Sequence, residues 1–441
     1  MTSQTLPIRP TSAGSLLLRG GAVVSVDPQL GILERGDILV QGDTIIAVAS
    51  DLTHLASPDT EIIDATGTIA IPGFVDSHVH AWEGQLRGLA PTADFGSYLG
   101  LTAFGYGPKY RPHDVYAGTW ATAVAALDAG ITTIIDNSHN ALTPDHSRAA
   151  VEALSDVGIR GVHAVGSPFG TELDHVPVTA VDLRDRFGGR LIDVRLFDTH
   201  PTTELWSFAK DAELWVSSEI GPHTPGLQER FEALYAAGLL TEQHALNHCY
   251  DLTDRVWELI AGSGASVNLC PRSDAAFGLG TAVPPVAAAL ANAAAIGLSN
   301  DNEVSYGINM FAEMQTLLLR DRAEQFRRAA SGGEARPDPL QPSQILEFAT
   351  LGGASNAGLS RKIGSLTPGK QADIVLIHAN GMAALSAAEP VATVTTMAHP
   401  GMVDTVIVAG QVRKCGGHLL GIDDDQARAV VTQSRDYLMR T

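Results

Sequence analysis

Short apolar runs alternate with amphipathic stretches through the middle of this chain. The apolar runs that predict buried strands are residues 70–76, 132–136, 161–165, 192–197, 214–217, 245–248, 266–269 and 296–301. Helical periodicity lies between them, for example at residues 115–128, 148–157, 227–237 and 255–261. Strand and helix alternating about eight times is typical of a closed parallel barrel rather than an open sheet. We therefore predict an α/β fold centred on a (β/α)8 TIM barrel.

The two ends of the chain show a different pattern. Short strands separated by Gly-Asp, Gly-Gly and Pro signals fill residues 15–69, and similar strands return at residues 372–377 and 405–412. This pattern indicates a small antiparallel sheet. Because both ends share it, we expect a small β-sandwich domain built from both termini. The predicted limits are 1–70 and 366–441 for the sandwich with its tail, and 71–365 for the barrel.

The charge balance narrows the possible partners. The 441 residues include 49 acidic and 29 basic side chains, a formal net charge of −20. Such a chain repels phosphate backbones and anionic lipid, so we expect neither nucleic acid nor a membrane as a partner. The three cysteines form no Cys-x-x-Cys pair, and the first fifteen residues lack the apolar core of a signal peptide. Both features favour a cytoplasmic location.

The first predicted barrel strand leads into His78 and His80, which stand two positions apart. Side chains alternate across a strand, so residues two apart point to the same side. Neutral imidazole is a good ligand for Zn, Fe, Ni and Cu and a poor one for Mg or Ca. The pair therefore predicts a transition-metal site at the end of this strand.

Other polar and ionisable residues follow the ends of the later strands. They are Asp136, His139, His200, Glu219, His223, His248 and Asp301. A TIM barrel carries its active site on the face formed by the C-terminal ends of its strands. An aromatic insertion at residues 89–111 is expected either to cover this face or to form a subunit contact. The sequence thus predicts that these residues surround one site.

Several spaced motifs together resemble the amidohydrolase superfamily. They are Pro72-Gly-Phe-Val-Asp-Ser-His-Val-His80, Asn247-His-Cys-Tyr-Asp-Leu-Thr-Asp254, Ser266-Val-Asn-Leu-Cys-Pro-Arg-Ser-Asp274, Gly297-Leu-Ser-Asn-Asp-Asn302 and Ile363-Gly-Ser-Leu-Thr-Pro-Gly-Lys-Gln-Ala-Asp-Ile-Val375. The resemblance runs nearly end to end and points to the branch that holds cytosine deaminase, the triazine hydrolases and the adenosine-type deaminases.

The resemblance implies hydrolysis of a C–N bond, by deamination or by amide or ring opening, in a small cyclic or heteroaromatic compound. A metal-activated water would be the nucleophile. His78 and His80 would be metal ligands, and Asp301 would be both a ligand and a proton shuttle. His248 would hydrogen-bond the water or the oxyanion, or turn in as a ligand, and Glu219 would relay protons. Relatives also suggest a homo-oligomer, a dimer or larger.

The fifth predicted strand departs from this family pattern. The resemblance implies a metal-binding histidine three residues before Glu219, but Val216 stands there, and valine cannot bind a metal. The ligand is therefore absent unless it is replaced by His223, His200, His139 or His248. The resemblance also implies that a two-metal site would need a carboxylated lysine on the fourth strand. Residues 191–200 contain no lysine, so we expect one divalent ion rather than two. Zinc is the first choice, with iron or manganese as alternatives.

The remaining candidate residues would contact the substrate. They are Trp82, His139, His200, His223 and Glu303. Two other functions stay open. The absent histidine suggests a lyase, hydratase or isomerase that uses the metal as a Lewis acid on the same fold. A binding protein that has lost its metal is a third possibility, against which the retained ligand residues argue.

Overall fold

The computed structural model describes residues 14–189, 191–222, 224–333, 336, 338–384 and 389–440. The strands are β1 (Ser15–Val24), β2 (Ile32–Gln41), β3 (Thr44–Ala49), β4 (Glu61–Asp64), β5 (Thr68–Pro72), β6 (Phe74–Val79), β7 (Ile131–Ser138), β8 (Arg160–Val165), β9 (Ile192–Asp198), β10 (Val216–Ile220), β11 (His244–His248), β12 (Ser266–Leu269), β13 (Ile296–Leu298), β14 (Ile374–His378), β15 (Val403–Val408), β16 (Gln411–Cys415) and β17 (His418–Leu419).

The helices alternate with these strands and are joined by short 3-10 and π-helical turns. The α-helices are α1 (Phe95–Leu101), α2 (Pro112–Asp128), α3 (Pro144–Val157), α4 (His175–Phe187), α5 (Thr203–Asp211), α6 (Leu227–Ala236), α7 (Asp254–Ser263), α8 (Pro271–Phe277), α9 (Val286–Asn292), α10 (Met310–Ala330), α11 (Pro342–Glu347), α12 (Gly353–Asn356), α13 (Pro390–Ala392) and α14 (Asp424–Arg440). Within the described residues, none of these helices has the length and apolar character needed to cross a membrane.

A closed parallel barrel forms the centre of the molecule. In the described part of the chain, the eight strands β6 to β13 pair in sequence order, and β13 pairs back onto β6. Apart from the exposed Asp193 of β9, these strands are buried along their length, as is typical of parallel strands covered by helices. Apolar side chains between the strands and the surrounding helices form one continuous buried cluster. The predicted (β/α)8 barrel is confirmed.

A second sheet joins the two ends of the chain. Its order over the described strands is β17-β16-β15-β14-β5-β1-β2-β3, with β4 beside β1, and most of its neighbours are antiparallel. Alternate side chains of β1 and β2, including Leu16, Leu18, Ile38 and Val40, form its own buried cluster. The predicted unit built from both termini is thus present, while its exact limits stay a prediction.

The apolar run at residues 70–76 is not one barrel strand, so that part of the prediction was wrong. The chain passes from the terminal sheet to the barrel within it, because β5 ends at Pro72 and β6 begins at Phe74. Gly73 stands between them and donates its N–H to the Asp373 carbonyl oxygen at 2.9 Å. A Cβ at Gly73 would overlap the side chain of Thr132, so only glycine fits this crossing.

Close packing behind the last barrel strand gives a stability prediction. Gly352 has ordinary helical backbone angles, but a Cβ there would overlap the Ile296 carbonyl oxygen at the start of β13. We expect Gly352→Ala to cost about 1–3 kcal/mol, because an added methyl group has no space. Thermal melting should show a fall of roughly 2–6 °C. Gly100→Ala is the matched control, since nothing lies within 4 Å of its Cβ position. A Gly352→Ala melting temperature equal to that of the control would contradict this account.

Candidate active site

The two histidines of the first barrel strand are held rigidly at its C-terminal end. His78 is the penultimate residue of β6 and His80 follows the strand, and both are buried. The Asn137 side-chain amide contacts His78 Nδ1, and the Asn137 carbonyl oxygen lies 2.7 Å from His80 Nδ1. Because each ring is held through Nδ1, each Nε2 remains to bind a metal ion.

Asp301 joins these histidines from the segment that follows the last barrel strand, where it forms an isolated parallel bridge with Val79. Its N–H donates to the His78 carbonyl oxygen at 2.9 Å, and the His80 N–H donates to the Asp301 carbonyl oxygen at 2.8 Å. Asp301 Oδ1 lies 2.9 Å from His78 Nε2 and 3.5 Å from His80 Nε2. Burial by itself would raise the pKa of Asp301, but the hydrogen bond with His78 and the surrounding imidazoles lower it below its usual range. The carboxylate is therefore ionised.

Glu219 and His248 complete the centre of the site. Glu219 Oε1 lies 3.2 Å from His78 Nε2, and Glu219 Oε2 lies 3.2 Å from His248 Nε2. Burial raises the pKa of Glu219, but the interactions of its carboxylate with the His78 and His248 rings outweigh burial and lower that pKa to about 2. The other ring nitrogen of His248, Nδ1, lies 2.8 Å from Asp274 Oδ1.

The ring of His248 favours its protonated form. Burial lowers the pKa of His248, but Cys270, Asp274 and Glu219, which can each accept a ring proton, raise it well above its ordinary value. His248 also has a positive φ of 63°, which turns the chain at the end of β11. The strand end thus places the His248 ring beside two carboxylates, with hydrogen-bond acceptors near both of its nitrogens.

The donor atoms have the composition and spacing of a metal site. The ligand atoms of His78, His80 and Asp301 lie within 4.8 Å of one another, and so do those of His78, Glu219 and His248. Among the described residues, Glu219 Oε1 is buried and has no hydrogen-bond partner. Imidazole nitrogens with carboxylate oxygens suit a divalent transition metal. The residues therefore fit the ion that the sequence predicts, and the structure brings together all four predicted metal-binding residues.

The predicted substrate contacts divide into two groups. His139 lies beside the site, with its ring centroid 4.3 Å from that of His80, and both of its nitrogens are buried without a hydrogen-bond partner in the described residues. Trp82 is buried beneath it, with the ring centroids 5.4 Å apart. His200 instead lines a separate cavity of about 660 Å³, which residues 167–177 form together with residues 197–208.

The last two predicted contacts lie elsewhere. Glu303 is fully buried, and its carboxylate contacts Arg87 and Thr122 rather than the pocket over the metal site. Its position corrects the prediction that it contacts the substrate, because both of its oxygens are engaged in joining the segment after β6 to α2. His223 lies outside the described residues.

Aromatic side chains close the pocket above the site. The pocket holds about 20 Å³, room for about one water molecule, so its walls must move to admit a substrate. It is lined by His80, Glu219, His248 and Asp301 below and by Phe95, Tyr98, Phe169, Tyr250, Phe277 and Leu279 above. Phe95 and Tyr98 belong to the aromatic insertion at residues 89–111. The insertion therefore covers the barrel face, which is one of the two roles predicted for it.

Sequence reasoning missed two residues that support the site. Asp274, at the start of α8, holds His248 Nδ1, and Asn137, in β7, contacts both His78 and His80. Asp274 is the last residue of one of the family-like motifs, so that motif was an available signal. Asn137 follows the predicted strand-end residue Asp136, but nothing in its immediate sequence marks it.

The barrel and the site define the class of this protein: a (β/α)8 barrel with a candidate metal centre on the face that carries enzyme active sites. The Amidohydrolase family matches residues 69–413, and the chain belongs to that family.

Known sequences agree with this membership. The 5-methylthioadenosine/S-adenosylhomocysteine deaminase of Pyrococcus abyssi is 26% identical over 437 residues, covering 93% of this chain and 96% of the relative. The protein of the same name from Symbiobacterium thermophilum is 28% identical over 425 residues, covering 90% and 93%.

Solved structures share the fold. An adenosine deaminase from Xanthomonas campestris with bound zinc superimposes with a TM-score of 0.83 at 22% identity, covering 98% of this chain and all of that one. Atrazine chlorohydrolase from Arthrobacter aurescens, complexed with zinc, gives 0.82 at 22% identity, covering 95% of this chain and 100% of that chain.

Proposed function

We propose that this protein is a metal-dependent amidohydrolase that cleaves a C–N bond of a small heteroaromatic compound, with deamination of an aminated ring as its reaction. The observation that carries the proposal is the convergence of His78, His80 and Asp301 on one point beside His248, whose Nδ1 is held by Asp274. Relatives named as deaminases and neighbours with bound zinc support it. The aromatic walls of the pocket suit a planar ring.

The proposed cofactor is one divalent ion, most readily zinc, held by His78, His80 and Asp301. When bound, such an ion would lower the pKa of a water molecule and polarise the C–N carbon under attack. The homo-oligomeric state and the cytoplasmic location stay predictions from the sequence.

Two residues of the chain would move the protons. Asp301 is ionised and faces the pocket, so it accepts a proton from the attacking water and passes it to the leaving nitrogen. His248 holds its proton between acceptors, with Asp274 fixing Nδ1, so Nε2 can donate to the oxygen on which negative charge develops. Phe95 and Phe277, whose ring centroids lie 6.2 Å apart in the pocket wall, would exclude water from the bound ring.

A panel of aminated purines, pyrimidines and triazines, together with cyclic amides, tests this function. We expect release of ammonia from at least one aminated ring, with the amino group replaced by oxygen in the mass spectrum of the product. Asp301→Asn, prepared identically, controls for contaminating deaminases. Ring-opened products from the cyclic amides alone would move the reaction to amide hydrolysis. Isomerised or eliminated products without C–N hydrolysis would contradict the proposal and favour the Lewis-acid alternative.

A further inference from the structure

We propose that Glu219 is itself a ligand of the ion, bound through Oε1, so that the protein supplies two imidazoles and two carboxylates. This inference rests on the proposed metal-dependent function. It replaces the proton-relay role that the sequence suggests for Glu219, and it supplies the fifth-strand ligand that Val216 cannot provide. Three observations on β10 and its surroundings support it.

The first observation is the direction of the side chains along β10. Ser217 faces the barrel interior, where its Oγ lies 3.4 Å from Arg195 Nη1. Val216 and Ile220 belong to the apolar cluster between the strands and the helices. Because side chains alternate, Glu219 shares the inner face with Ser217, whereas any residue at position 216 faces outward.

The second observation is the level of Glu219 along the barrel. β10 runs on to Ile220, in register with Glu219 opposite Asn247 and Ile220 opposite His248. Glu219 is therefore the last inward-facing residue of its strand. This is the position from which a barrel strand presents a group to the C-terminal face, as β6 does with His78. The ligand position on β10 is thus occupied by a carboxylate rather than vacant.

The third observation is the surroundings of the carboxylate. Oε1 lies 3.2 Å from His78 Nε2 and 3.9 Å from His80 Nε2, the same two nitrogens that Asp301 Oδ1 approaches at 2.9 and 3.5 Å. Atoms about 2.0–2.2 Å from one shared ion lie at such separations from each other. Oε1 has no hydrogen-bond partner among the described residues, while Oε2 contacts His248.

The charges agree with this assignment. Asp301 and Glu219 bring two carboxylates into one buried site, and burying two like charges is costly unless a cation lies between them. A divalent ion would neutralise both. An imidazole in place of Glu219 would leave the same centre with one more positive charge.

The test measures metal binding rather than turnover. Zn²⁺ affinity is obtained by competition with a chromophoric chelator for the wild type, Glu219→Gln, Glu219→His and the matched control Glu204→Gln, an exposed glutamate of α5. Loss of a residue that only supports a ligand weakens metal binding by about 10–100-fold, so we expect at least that loss in Glu219→Gln. Glu204→Gln should match the wild type. Circular dichroism confirms that each variant is folded.

A spectroscopic readout separates a ligand from a neighbour. Co²⁺ replaces Zn²⁺ in the same proteins, and its visible absorption reports the donor set. We expect Glu219→His to keep the ion with a changed Co²⁺ spectrum and one more imidazole in X-ray absorption. Zn²⁺ affinity and a Co²⁺ spectrum equal to wild type in Glu219→Gln would overturn the inference, whatever happens to turnover, and leave Glu219 as a partner of His248. A wild-type protein that binds no Zn²⁺ would overturn the proposed function as well, and this outcome is recognisable from the wild type alone.

Discussion

Asp301→Asn should abolish turnover while the fold survives. The change removes the charge that holds the ion and the group that accepts the proton of water, and loss of a general base alone costs roughly 10²–10⁴-fold. Asp301 has a positive φ of 64°, a conformation that asparagine adopts almost as readily as aspartate. The backbone at the end of the barrel should therefore stay in place, and kcat on the best substrate of the panel is the measurement.

The control is another aspartate in the same backbone conformation. Asp251 is exposed and has a φ of 51°, so Asp251→Asn repeats the chemical change at a left-handed position outside the catalytic groups. It should keep kcat within about twofold, since surface changes away from special features rarely matter. An Asp301→Asn protein that retained more than a tenth of wild-type kcat would refute the assignment of the site.

Removal of the metal, either by chelation or by His78→Ala, should lower kcat about as much as Asp301→Asn does. A ligand that binds only the folded protein stabilises it, by about 2.7 kcal/mol when present at a hundred times its Kd. We therefore expect dialysis against a chelator to remove activity and lower the melting temperature of the wild type. Added Zn²⁺ should restore the activity and the melting temperature of the wild type. His78→Ala lacks the Nε2 atom that both ligand sets share, so neither the chelator nor added Zn²⁺ should change its activity or its melting temperature.

A histidine far from the site provides the comparison. His54 is exposed in the terminal sheet region, so His54→Ala should bind and lose Zn²⁺ as the wild type does. Elemental analysis of the purified proteins gives the ion content directly. Full activity of the wild type after removal of its metal to below stoichiometric traces would exclude the metal-dependent mechanism.

Much of the architecture was predictable because it depends on local patterns. Helical periodicity anticipated the region of α2, α3, α6 and α7, and the alternation of strand and helix anticipated the barrel. The spacing of His78 and His80 was equally informative, because a two-residue repeat on a strand fixes a common side whatever surrounds it. The prediction that Asp301 binds the same ion depended on the family resemblance. Asp301 and His80 are separated by 220 residues, and no local pattern indicates that two such distant residues are in contact.

The sequence did not show in the same way which residue of the fifth barrel strand faces the site. The sequence predicts a strand at residues 214–217, but β10 spans Val216–Ile220. A strand that ended at residue 217 would leave Glu219 in the loop that follows. A strand that ends at Ile220 makes Glu219 its last inward-facing residue. Strand ends in a barrel are set by pairing with both neighbours, here β9 and β11, and those partners lie far away in the chain.

The sequence by itself determined the barrel, the terminal sheet and the metal-binding pair on β6, because periodicity and spacing act between neighbouring residues. Tertiary structure alone decided which way β10 presents its residues and that Asp274 holds His248. It also decided that aromatic side chains from separate segments of the chain close over the site. These features depend on the register and packing of segments that are distant in the chain, and barrel closure sets that register for all strands together.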